Sequence, residues 1–132
     1  MQDYSLYFEL KELPPSLNKI FTMTWRRRKG VYDSIKKLAH YQILGKKPSK
    51  PLLKYAITFT RHTIRPLDID NLVASFKPVL DSLVISEVIQ DDKWGMTDSV
   101  FYKQKKVSKK INQKISVDVS AINEISNLDT KC

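Results

Sequence analysis

Residues 70–85 constrain the fold most. At about 100° per residue, Leu72, Phe76, Val79, Leu80 and Leu83 fall within one apolar stripe, while Asp70, Lys77 and Asp81 gather on the far side. This predicts an amphipathic helix. Pro78 removes a backbone donor and crowds the preceding turn, which predicts a kink or a helix restarted at Lys77. Around it lie segments of period two. Tyr4, Leu6, Phe8 and Leu10 alternate in the first, closed by Pro14 and Pro15; Tyr55, Ile57 and Phe59 alternate over residues 53–61. Residues 97–104 carry Val100 and Tyr102, and residues 111–119 carry Ile111, Ile115, Val117 and Val119, giving four expected strands. Residues 16–31 show no sustained period and read as a basic loop. Asp33 is the expected N-cap of a short helix bearing Ile35, Leu38, Ala39 and Ile43, which Gly45 and Pro48 stop. A turn is expected over residues 90–95. The reading is one α/β (α+β) domain over residues 1–120, with a mixed sheet of about four strands and two main helices, and a flexible tail over residues 121–132.

Charge narrows the partners. The 132 residues include 23 Lys plus Arg against 14 Asp plus Glu, a net charge of +9 that favours a polyanion, most simply nucleic acid. The single cysteine, Cys132, excludes an intrachain disulfide, a Cys-rich zinc site and a redox pair. No run of about 18 apolar residues occurs, and the N-terminus lacks the basic and apolar regions of a signal peptide, so a cytoplasmic protein without membrane contact is expected.

The chemical signal lies in carboxylates, which are scarce in so basic a chain. Asp68 and Asp70 are two residues apart in a segment that Pro66 pushes toward extended geometry, so their side chains can point the same way; Asp70 can also cap the following helix. Two hard oxygen donors suit Mg²⁺, with Mn²⁺ as substitute, and Asp91 or Asp92 would complete a site that keeps waters and accepts phosphate oxygens. Repulsion among such carboxylates calls for a cation to order them. Lys77, about 10 Å of helical rise beyond Asp70, could lean back to stabilise a phosphate, or could simply pair with Asp81 four residues on. Plainer roles exist for the others too: a helix cap and turn at Asp70 and Asn71, and a solvated turn at Asp91 and Asp92.

Taken together, Asp68-Ile69-Asp70-Asn71-Leu72, the helix with Lys77 and Asp81, and Val88-Ile89-Gln90-Asp91-Asp92 resemble the RusA-like family of Holliday junction resolvases. Pro14-Pro15-Ser16-Leu17-Asn18 is similar to that family's early Pro-Pro-Ser-x-Asn, and the resemblance covers most of residues 4–105. It implies a small mixed-sheet fold, a homodimer, no small-molecule cofactor and Mg²⁺-dependent cleavage of four-way DNA junctions by paired nicks, in recombination and repair. A phage or prophage setting in a bacterial cell would fit by analogy. By the same resemblance Asp68, Asp70 and Asp92 match the essential acidic positions, Asp91 neighbours them, Lys77 matches the essential lysine, and Asn71 and Asp81 support. Two departures stand out. The lysine falls about one turn later than in the best-known members, with Ala74 in its place, and Glu87 occupies a position where many relatives have glycine.

Phosphate neutralisation would rest on Arg26, Arg27, Arg28 and Lys29, on the lysines between Lys46 and Lys54, and on Lys103, Lys105, Lys106, Lys109 and Lys110. Trp25 would stack at an unpaired junction centre, or belong to the core or a dimer interface. His40 and His62 fit no catalytic pairing and are expected to be structural or exposed. Competing readings are a non-catalytic branched-DNA-binding protein of the same fold, a nuclease for flaps or forks, and a basic structural or RNA-associated protein.

Overall fold

The computed structural model describes residues 3–91 and 99–122. Period-two burial builds the sheet. In β1 (Ser5–Leu10), Leu6, Phe8 and Leu10 turn inward, and each faces an inward residue of β4 (Lys114–Ala121): Val119, Val117 and Ile115 in turn. β4 pairs antiparallel with β2 (Tyr55–Thr63), which pairs parallel with β3 (Val100–Lys106), so the order is β1-β4-β2-β3. A parallel neighbour requires a crossover, and the 70–85 region supplies it. The expected strands are present, with shifted ends. Tyr4 flanks β1, and Ile111 leaves its expected strand for a short 3₁₀ turn, Lys110–Asn112, where it is 87% exposed.

The expected loop over residues 16–31 is helical instead. Ser16 caps α1 (Leu17–Phe21), its hydroxyl accepting the Lys19 N–H, and Thr24 caps α2 (Trp25–Ile43) by accepting the Arg27 N–H at 3.3 Å. Asp33 therefore lies inside α2 rather than capping a helix. Ile35, Ala39 and Ile43, four residues apart, seat α2 on the core, and Gly45 at φ 75° ends it in the left-handed region that glycine adopts without strain.

The amphipathic stretch divides into α3 (Ile69–Ser75) and α4 (Lys77–Ile85). Phe76, at φ −91° and ψ −2°, closes one and opens the other, leaving Pro78 in a first turn where its missing N–H costs nothing. The Phe76 ring, fully buried, stacks on Phe59 at 4.8 Å and tilts against Tyr102 at 6.1 Å.

α4 ends in a Schellman arrangement: Val88 N–H reaches Leu83 O at 2.9 Å and Glu87 N–H reaches Val84 O at 3.1 Å. Glu87 takes the position that favours glycine, with φ 63°. Its pair with Lys47, at 3.7 Å between exposed side chains, contributes little. Glu87→Gly is therefore expected to stabilise the fold by about 0.5–1 kcal/mol in urea unfolding, the strain relieved exceeding the backbone freedom gained by the unfolded chain. An unchanged or lower midpoint would contradict this.

Helices cover one face of the sheet. On the other, Tyr7, Phe101, Lys103, Lys105 and Asp118 are exposed, and His62 is half-buried. Among the described residues no helix is long and apolar enough to cross a membrane.

Candidate metal and nucleic-acid site

Asp68 and Asp70 flank the start of α3. Asp68, not Asp70, is the N-cap; its backbone is extended (φ −62°, ψ 159°) but its carboxylate makes no capping bond. Asp70 is helical, so the two stand at the start of a helix and not on the extended segment expected. Both are exposed and, among the described residues, neither has a hydrogen-bond or ion-pair partner. The positive end of a helix dipole tolerates negative charge there.

The backbone beneath them is clamped from two sides. Leu67, just before the cap, donates its N–H to Gln104 Oε1 at 2.7 Å and accepts from Gln104 Nε2 at 2.8 Å, a two-point amide pair from β3. Asn71 turns inward, 7% exposed, and its Oδ1 accepts the Asn18 N–H at 3.1 Å. Arg61 holds the same early segment from below. Its NH1 donates to Pro14 O at 2.6 Å, while Nε is buried without a hydrogen-bond partner among the described residues. Burial pulls the guanidinium below its usual range, though it stays charged. Sequence reading missed Arg61, although its place in the inward series Tyr55, Ile57, Phe59, Arg61, Thr63 was a signal.

Lys77 and Asp81 do not join this pair on one continuous helix. They lie on α4, where Lys77 Nζ meets Asp81 Oδ1 at 3.0 Å and Asp81 Oδ2 accepts from the Tyr32 hydroxyl, so the plainer i,i+4 pairing is realised. Ala74 remains on α3. Asp91 follows the segment that bridges Leu52, and its carbonyl accepts from the hydroxyl of Tyr55, the first residue of β2, at 2.6 Å. Asp92 and most of the turn expected over residues 90–95 lie outside the described residues. Among the described residues no three His, Cys, Asp or Glu side chains form a metal-binding group, and Glu87 faces Lys47 instead.

The basic residues divide between the two layers. Arg26, Arg27, Arg28 and Lys29 crowd the first turn of α2, with no acidic residue among them and against the helix dipole, an arrangement that costs stability. Lys103 and Lys105 lie on the open sheet face, whereas Lys106 alternates to the other side. Trp25 is 66% exposed, which removes it from the core. His40, exposed, places Nδ1 2.9 Å from Ser86 Oγ at the end of α4. His62 is held below the ordinary imidazole range by burial and by Lys114 and Lys105. A scan against protein-family models finds no match, and neither does a search of curated proteins.

Proposed function

We propose that the protein is a RusA-like, Mg²⁺-dependent endodeoxyribonuclease that resolves four-way DNA junctions by paired phosphodiester hydrolysis, acting as a homodimer in the cytoplasm. One observation carries this reading. Asn18 and Asn71 belong to two motifs 53 residues apart, and the 3.1 Å bond between them seats the Pro-Pro-Ser-x-Asn segment against the helix that begins with Asp68 and Asp70.

The donor set fits a hard divalent cation: two exposed carboxylates, unpaired among the described residues, with no thiolate or imidazole between them. Asp68 and Asp70 would hold the ion, with Asp92 and its neighbour Asp91 as the further donors of the proposal. When bound, Mg²⁺ supplies Lewis acidity and a water of lowered pKa. The chain supplies position. Gln104 and Asn71 fix the backbone that carries the carboxylates, and neutral side-chain amides do so without adding charge to the site. Lys77, half exposed and paired with Asp81 at the start of α4, is the cation that would meet a phosphate oxygen. The basic first turn of α2 would neutralise flanking phosphates.

A labelled four-way junction and a matched linear duplex, each with and without Mg²⁺, test the reading. Symmetric metal-dependent nicks confined to the junction are expected. Tight junction binding without nicks under any divalent metal would replace the enzyme by a binding protein of the same fold, and nicking of flaps or forks alone would reassign its substrate.

A further inference from the structure

The turn between α1 and α2 leaves an apolar and aromatic surface uncovered. Phe21 is 67% exposed and Trp25 66%, and beside them opens a hollow of about 380 Å³ bounded by Ile20, Trp25, Arg28, Lys29 and Tyr32. It adjoins a larger cavity of about 610 Å³ that shares Ile20 and Tyr32 and is walled by Val73 of α3. Both volumes are in the range of small-molecule sites. Lys29 Nζ stands 5.8 Å from the Trp25 ring, and three arginines fill the sequence between them.

This combination is chemically selective. The flat apolar face of Trp25 calls for a flat apolar ligand, and the two cations that line the hollow, Arg28 and Lys29, call for negative charge attached to that ligand. The cations sit where the helix dipole opposes them, so the fold itself gains nothing from their position. A second copy of this chain fits poorly, because a two-fold contact through the patch would bring two such cationic runs together. An unpaired nucleotide offers both a base with two π-faces and phosphates on either side.

We infer that Trp25, with Ile20 and Tyr32 beside it, forms a stacking site for an unpaired DNA base, whose flanking phosphates are held by Arg28 and Lys29. The inference rests on the nucleic-acid reading above, though not on cleavage. Val73, which walls the adjoining cavity, lies on the helix that starts at Asp68, so the cavity beside the stacking site is bounded by the element that carries the carboxylate pair. A base taken from the stack at the branch point would then fix where the scissile phosphate lies.

The test uses the whole protein in EDTA, with oligo(dT) and a duplex of equal length at one salt concentration. Oligo(dT) is expected to quench tryptophan emission in the wild type. Trp94 is the other tryptophan, so the Trp25 signal is read as the difference from Trp25→Phe. Trp25→Ala should weaken oligo(dT) binding about 5- to 100-fold and leave duplex binding within about twofold, while Trp25→Phe keeps most of the affinity. Because the side chain is exposed, far-UV dichroism should be unchanged in both. Equal oligo(dT) affinity in wild type and Trp25→Ala would overturn the inference, as would a change in sedimentation alone, which would make the patch a contact between copies. Asp70→Asn separates this from the cleavage proposal: it should abolish nicking and leave the quench intact. A Trp25-dependent quench in a protein that nicks no junction would keep the stacking site and remove the nuclease.

Discussion

Asp70→Asn is expected to lower Mg²⁺-dependent junction cleavage at least about a hundredfold, with junction affinity and thermal midpoint nearly unchanged. The size follows from what a metal-holding carboxylate does: several kcal/mol of transition-state charge stabilisation depend on it, and each 1.4 kcal/mol is tenfold in rate. The selectivity follows from its surroundings. Asp70 is exposed, makes no hydrogen bond or ion pair among the described residues, and is not the cap of its helix, so the near-isosteric amide removes charge and little else. Asp68→Asn should behave alike, since its carboxylate does not cap α3 either. Full cleavage by Asp70→Asn at saturating Mg²⁺ would refute the assignment.

Phe76→Ala is expected to cost about 3–5 kcal/mol in urea unfolding, enough to unfold a marginal domain. The ring is fully buried and joins Phe59 to Tyr102 beneath the break between α3 and α4. Its loss opens a cavity, and it also replaces a residue whose packing fixes that break with the best helix former, which favours a continuous helix that Pro78 then opposes. Phe101→Ala is the control: on the open sheet face and 53% exposed, it should change stability by about 0.5 kcal/mol or less. A loss below about 1 kcal/mol for Phe76→Ala would mean that the core is not organised around this ring.

The strands were legible because one buried face imposes a strict period of two, visible as Leu6, Phe8, Leu10 and again as Ile115, Val117, Val119. The restart at Lys77 was legible for an equally simple reason, the missing proline donor. The first two and a half turns of α2, before Ser34, were not. Trp25 to Gly30 offers no apolar stripe, carries cations at the end of a helix where anions belong, and includes glycine; burial of Ile35, Ala39 and Ile43 farther along holds the helix in place. Thr24 was the available signal, an N-cap without the acidic residue that strengthens such a signature. At the candidate site the two carboxylates could be singled out by type, but their geometry could not, since a helix start and not an extended segment carries them. The contacts that position them were not legible either, because Gln104 and Arg61 lie on other strands and their partnership with Leu67 and Pro14 exists only once the sheet has formed.

The division of basic residues between two layers bears on the shape of the polyanion. Arg26, Arg27, Arg28 and Lys29 stand at a helix end on the covered side of the sheet, while Lys103 and Lys105 point away from its open side. A straight duplex is a rod and lies along one side of a domain this small; arms that diverge from a branch point can pass both. Each phosphate neutralised releases about 0.9 of a condensed counterion, so the number released counts the surfaces engaged. Plotted as log affinity against log salt, a four-way junction should therefore give a steeper line than linear DNA of the same length, and Lys103→Ala with Lys105→Ala should flatten only the junction's line, toward that of the rod.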